Sequence, residues 1–297
     1  MNYKDTTTAS LNSSALVMLA PIYILLSLTA ILSRYNSLLK SLASHGKTRH
    51  SSSYGWLEFQ LPKRCFAHFY ILGMFSAAWT FYLAGEVHLL LSSQWLLFAH
   101  LFRRLYECWY IHQFQPQSKM HLAGYLLGIG HYGILPLVFV GRIRGSVPLA
   151  IDVVCCVGNV WIQFEQHMHH KILANLRTLR TRTKDHVSYQ LPPKQKWFRW
   201  SLSPHYLAEI LLYFSWAVLL SFQPARPVDV SQWSTFLPWT TATNSGVLNF
   251  FATQRHWFLF FWVMTNLSVS SLNNRDWYLQ KCPELTRSAL FPWWSSP

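Results

Sequence analysis

The chain has 297 residues, 51% of them hydrophobic and 16% aromatic, while only 12% are charged. A soluble domain usually carries about a quarter charged residues, so this composition excludes an ordinary soluble globule and points to a membrane protein. The net charge of +14 does not indicate nucleic acid, because the basic residues sit in loops between apolar spans, where anionic headgroups attract them.

Residues 1–13 read as a polar tail. Apolar runs long enough to cross a bilayer then follow near 14–33, 66–85, 87–102, 121–140, 147–164, 205–222 and 247–270. The first lacks the basic start and small-residue exit of a cleavable signal and reads as an anchor. The third is short and the last is interrupted by Arg255 and His256, so six spans is the alternative count. Strand signals are weak, and backbone groups in lipid need internal partners, so the expected fold is an all-α bundle in one domain. Seven spans place 20 of the 25 basic residues on one side, which the positive-inside rule assigns to the cytosol, leaving the N-terminus lumenal and the C-terminus cytosolic. Residues 165–204 then form a basic cytosolic loop, and the Pro/Ser/Thr/Trp-rich 223–246 a lumenal one. Five cysteines without a CxxC pair indicate neither a disulfide scaffold nor a zinc knuckle.

Several motifs compete for the chemistry. "GIGHYG" (128–133) matches a dinucleotide fingerprint literally, with Asp152 at about the right distance. It lies within an apolar span, however, where Gly124 and Gly128 fit close helix packing better. His167, His169 and His170 resemble one box of a di-iron enzyme, but His45 and His50 are five apart and His121 and His131 are isolated. No metal is expected. If the helix of the fifth span continues, Gln166, His170, Arg177 and Arg180 fall on one stripe, which suits a bound phosphate. A polybasic loop gripping anionic lipid is the alternative. His205, Glu209 and Tyr213 line one face at the start of the sixth span, and an ionisable Glu209 at membrane depth is functional by default. The tail adds Tyr278, Lys281 and Arg287 among aromatics.

"KRCFAHFY" (63–70), "RRLYECWY" (103–110), "SKMHLAGYLLGIGHY" (118–132), "HKILANLR" (170–177), "SPHYLAEILLY" (203–213) and "DWYLQKCPELTRSALFPW" (276–293) together resemble the steroid 5α-reductase family of membrane enzymes, in its polyprenol reductase branch. The resemblance implies seven transmembrane helices in the endoplasmic reticulum, NADPH, and a polyprenyl lipid substrate on the route to dolichol for protein N-glycosylation. By position it implies that Gln166, His170 and Arg177 line the phosphate and ribose side, with Arg104 at the cofactor end of the third span. Tyr189 would cover the adenosine, His205, Glu209 and Tyr213 would face the nicotinamide, and Asn274 and Tyr278 would contribute from the last helix. The family's carbonyl-polarising glutamate is replaced by Gln60 and its tyrosine by Leu101, so the steroid proton donor is not inherited. Candidate substitutes are Tyr106, Glu107, Glu58 and His68. A steroid-type reductase, an isoprenylcysteine-type methyltransferase and a non-catalytic lipid-binding scaffold stand as alternatives.

Overall fold

The computed structural model describes residues 13–36, 38–39, 59–114, 118–143, 147–183, 191–223, 225–226 and 242–291. Glu58, Tyr189 and most of the 1–13 and 223–246 segments lie outside the described residues. The described residues are mostly helical: α1 (Ser13–Leu32), α2 (Phe66–Leu83), α3 (Ser92–Tyr106), α4 (Leu122–Ile134), α5 (Leu149–Thr183), α6 (Pro204–Ser221), α7 (Ala242–Thr253) and α8 (Arg255–Leu279). α5 lies along α6, α6 and α1 lie along α8, and α2 packs on α3 and α4. Each of the first six expected spans meets one of these helices, and the last, 247–270, is divided between α7 and α8.

Among the described residues two helices are long and apolar enough to cross a membrane, Ala15–Leu32 with mean hydropathy 2.4 and Lys63–Leu83 with 1.2. The sequence reading expected seven. The difference has physical causes: α4 is apolar but short, and α3, α5 and α8 carry polar residues that the fold turns inward. Gln94 and His100 of α3, Asn159, Gln163 and Gln166 of α5, and Arg255 of α8 are all buried. On the opposite face of α5, Val153, Val154, Val157, Val160, Trp161 and Phe164 are exposed. On α5 a polar inner face under an apolar outer one inverts the usual soluble pattern.

The weak strand signal understated one feature. Gln60–Pro62 (β1) pairs antiparallel with Lys119–His121 (β2), with Gln60 opposite His121 and Pro62 opposite Lys119. Lys63 N–H extends the pairing to Ser118 O at 2.9 Å. This short ladder ties the start of α2 to the start of α4. At Gly128 of α4 a Cβ would come within 2.5 Å of the Phe69 ring, so the glycine is needed for that close approach.

At the opposite end, a Schellman turn closes α2. Gly85 adopts φ +67°, its N–H reaches Tyr82 O, and Glu86 N–H reaches Phe81 O at 2.9 Å. The turn delivers Glu86, whose carboxylate accepts Gly141 N–H at 2.9 Å and Gln94 Nε2 at 2.6 Å. The break between α7 and α8 falls where Arg255 and His256 interrupt the last span. Arg255 is buried there and donates to the carbonyls of Leu137 (3.0 Å), Ala252 (2.5 Å) and Val140. Arg142 donates to Leu220 O and Gln223 O, both at 3.2 Å. The two guanidinium groups thus satisfy carbonyls that helix ends leave unpaired.

Candidate active site

The site is built at the end of α3. Arg103 and Arg104 occupy its last turn, and a wide i→i+5 turn over Glu107–Ile111 follows, closed by His112 N–H on Glu107 O at 2.8 Å. Such turns are uncommon and frequent at functional sites. Facing it, α5 continues beyond the fifth span as the stripe argument required. It presents Gln163, Gln166, His167 and His170 at i, i+3, i+4 and i+7, one face of a helix. α6 contributes His205 and Glu209 from its first turns, with Pro204 at the first helical position.

Glu107 is the hub. It has no solvent exposure, and its Oε1 accepts Arg103 Nη1 at 2.5 Å while Oε2 accepts Arg104 Nη1 at 2.5 Å. His167 Nδ1 stands 2.9 Å from Oε1 and His170 Nδ1 stands 2.7 Å from Oε2. Arg103 also donates to Gln163 Oε1 at 3.3 Å and to Gln166 Oε1. Gln166 Nε2 in turn donates to Glu209 Oε2, and to His205 O at 3.1 Å. A continuous path therefore runs from Glu107 through Arg103 and Gln166 to Glu209. Arg104 turns the other way, donating to Tyr70 Oη from Nε (3.2 Å) and Nη2 (2.8 Å).

The charges follow from this geometry. Burial raises the Glu107 carboxyl, but the His170 and Arg104 contacts and the imidazole hydrogen bonds outweigh it and hold the group far below the usual carboxylate range. Burial also lowers His170 to about 4 against the pull of Glu107. His170 Nδ1 thus sits between the Glu107 carboxylate at 2.7 Å and the Arg104 guanidinium at 2.9 Å, and the two arginines carry the charge that compensates Glu107. Burial likewise lowers His169 to about 4 and His112 to about 2. The unfolded chain takes up protons near the ordinary histidine value of 6.5, whereas the folded chain refuses them until far lower pH. Stability is therefore expected to fall as the pH drops below 6.5 toward 4. Glu107, depressed in the fold, adds a loss of the same sign at lower pH. Unfolding midpoints in detergent at about pH 7.5 and about pH 5.5 check this. An equal or higher midpoint at the acidic value would mean that the rings are charged in the fold.

Ligand atoms of Glu107, His112 and His170 lie within 4.8 Å of one another, a spacing compatible with a metal. Both carboxylate oxygens already receive arginine N–H groups, and Arg104 Nη1 lies 2.9 Å from His170 Nδ1. A divalent ion would be placed against two guanidinium charges, so the cluster reads as a buried ion-pair network.

Other candidates are more scattered. Tyr106 is exposed and lies against Tyr110, and His68 is exposed and hydrogen-bonded to Tyr125 at 3.1 Å. His68 does not join the cluster, and Tyr106 borders it only through its ring, 6.4 Å from that of His167. Arg177 lies two turns beyond His170, exposed, with Nη1 3.3 Å from Gln113 O. Asn274 reaches Ser203 Oγ at 3.5 Å, beside the start of α6. Tyr278 is buried near the end of α8. Arg287, singled out in the tail, is a brace: it donates to Pro192 O at 2.7 Å and Phe198 O at 3.0 Å. Leu202 N–H on Ser288 O and Ser288 N–H on Trp200 O add to this tie between the tail and the segment before α6.

Sequence reasoning missed Arg103, Tyr70 and His100, weighed His167 only as a metal ligand and set His131 aside as isolated. The i, i+4 pair Arg103/Glu107 was the available signal. Tyr213 lies one turn deeper than Glu209, with its Oη 3.4 Å from His131 Nε2. Among the described residues, the buried polar atoms of this region without a hydrogen-bond partner include His100 Nε2, His205 Nδ1, Trp216 Nε1, Tyr23 Oη and both ring nitrogens of His169. Buried polar atoms are normally paired, so an unpaired set around one cluster fits a place that receives a bound molecule.

No family model matches the chain. Individual relatives do. Polyprenal reductase of Saccharomyces cerevisiae is 28% identical over 258 residues, covering 82% of this chain and 81% of that protein. Polyprenal reductase 2 of Arabidopsis thaliana is 24% identical over 94% of both chains. Polyprenal reductase of Xenopus laevis is 29% identical over 62% of this chain and 70% of its own. The chain is similar to polyprenal reductases. The similarity spans yeast, plant and vertebrate proteins and most of the chain, so the resemblance to the polyprenol reductase branch read from the motifs stands.

Proposed function

We propose that this chain is an NADPH-dependent reductase of the endoplasmic reticulum membrane that saturates the α-isoprene unit of polyprenal, giving dolichal. The similarity to polyprenal reductases along most of the chain carries this reading. A bundle of seven spans with a lumenal N-terminus and a cytosolic C-terminus is the architecture that accompanies it. The one-sided placement of basic residues and the apolar outer face of α5 support that architecture.

NADPH, when bound, supplies the hydride. Arg104, Gln166, His170 and Arg177 are the residues proposed to hold its phosphate and ribose, with His205 and Glu209 nearer the nicotinamide. Arg103 has no separate ligand role in this scheme. It fixes Gln166, which fixes Glu209. Hydride adds to a carbon–carbon double bond only where the resulting charge has somewhere to go. In a conjugated aldehyde the charge moves onto the carbonyl oxygen, whereas in the corresponding alcohol it has no such outlet. The substrate is therefore assigned as the aldehyde, and the protein must meet the developing oxyanion with a positioned donor. The long isoprenoid tail needs no built pocket and lies against lipid.

The purified protein is to be incubated with polyprenal or polyprenol and either NADPH or NADH, and the products weighed. The expected result is a gain of two hydrogens on polyprenal with NADPH. No gain on polyprenal, or turnover of a steroid enone alone, overturns the proposal. So does a rise in unfolding midpoint with S-adenosylmethionine in place of NADPH, since a ligand that binds only the folded state must raise it.

A further inference from the structure

We propose that Tyr213, oriented by a hydrogen-bonded pair of Trp262 and His131, is the catalytic residue that donates to the carbonyl oxygen of the substrate. This rests on the reading of the substrate as a conjugated aldehyde. It adds the donor that the candidates Tyr106, exposed at the outer edge of the cluster against His167, and His68, exposed on Tyr125, do not provide.

The direction of the relay follows from donor chemistry. An indole Nε1–H can only donate. Trp262 Nε1 lies 3.3 Å from His131 Nδ1, so Nδ1 is the acceptor and the ring proton sits on Nε2. That Nε2–H faces Tyr213 Oη at 3.4 Å and donates to it. The phenol oxygen is thus used as an acceptor, and its own proton is left to be given away. Among the described residues no side chain or carbonyl accepts it. Donation into the phenol oxygen also makes that proton a better hydrogen-bond donor.

Position fits the role. Tyr213 lies one helical turn below Glu209, and His100 links the two levels: its Nε2 is 3.5 Å from Glu209 Oε1, and its ring meets Tyr213 and Trp216 edge-on. Trp216, whose ring meets Tyr213 edge-on at 5.0 Å, has a buried Nε1, and this atom and Tyr23 Oη are both unpartnered among the described residues. The neighbouring Tyr132 is a poorer candidate: its ring packs edge-on at 5.0 Å against Tyr70, the phenol that braces Arg104, and among the described residues no imidazole N–H donates to its hydroxyl.

In the step itself, hydride forms the new C–H bond at the β-carbon, the C=C pair shifts between the α-carbon and carbonyl carbon, and the carbonyl pair moves onto oxygen. Tyr213 O–H holds that enolate oxygen. A proton from water at the α-carbon then completes the saturated aldehyde.

Tyr213→Phe is expected to lose about 10²–10³-fold in kcat on polyprenal, the usual effect of removing one oxyanion donor. NADPH affinity, read by energy transfer from tryptophan to the bound nicotinamide, should be unchanged. His131 is a positioning residue: His131→Gln, which keeps one acceptor and one donor, should retain most of kcat, while His131→Leu should not. Turnover by Tyr213→Phe within threefold of wild type overturns the assignment, as does a loss found in Tyr132→Phe instead, or equal activity in the two His131 variants. Failure of the wild type to reduce polyprenal is a separate result and removes the reading on which the assignment rests.

Discussion

Glu107→Gln is expected to destabilise the protein by about 3–5 kcal/mol, the cost of removing one partner from a buried ion pair. The carboxylate has no solvent exposure and both oxygens are held by guanidinium groups at 2.5 Å, with two imidazoles completing its shell. An amide of the same shape leaves Arg103 and Arg104 without their shared counter-charge and offers only one acceptor oxygen to two donors. Thermal unfolding of the detergent-solubilised protein reads the effect. Adding Arg103→Gln to the same chain should recover part of the loss, because removing both members of a buried pair is cheaper than removing one. A midpoint equal to wild type in the single variant would mean that the two arginines find their charge balance elsewhere.

Glu209→Gln is expected to act on catalysis and to spare the fold. Glu209 accepts from Gln166, which is fixed by Arg103, and it faces His100 at 3.5 Å. It does not bear directly on two guanidinium groups as Glu107 does. Replacing it should lower kcat/KM on polyprenal by at least about 10²-fold, or roughly 2.7 kcal/mol of lost transition-state stabilisation. The unfolding midpoint should stay near that of wild type. Full turnover by this variant would remove Glu209 from the working site. A collapse of stability would recast it as a second structural counter-charge.

These two carboxylates also mark where the sequence was legible. Glu209 stood out because a charge on the face of an apolar span is costly, and helical spacing alone joined it to His205 and Tyr213. The continuation of α5 was legible for the same reason, since Gln166 and His170 keep the 3.6-residue period past the end of the apolar run. Glu107 was named as a possible proton donor, yet its role as hub depends on which way Arg103 and Arg104 turn. That is set by a wide helical turn which no period reveals. The two-stranded ladder was invisible because three residues are too few to show alternation, and because Pro62 argues against a strand except at an edge. Arg255 looked like an interruption of the last span. It is a cap, recognisable only once the carbonyls of Leu137, Val140 and Ala252 are brought around it. His131 was dismissed as isolated in the sequence, and its partners Trp262 and Tyr213 come from helices 131 and 82 positions away.

The 35 residues of α5 form one unbroken rod, about 52 Å long at 1.5 Å per residue. That exceeds the roughly 30 Å of a bilayer's hydrocarbon layer. In the proposed seven-span architecture, Gln163 through His170 sit midway along a stiff shaft, so their altitude relative to the lipid is set by the shaft and not by the molecule being reduced. A substrate delivers its aldehyde to that fixed height whatever number of isoprene units trails behind it. Such an enzyme gauges depth rather than length, and its turnover should vary little between short and long polyprenals.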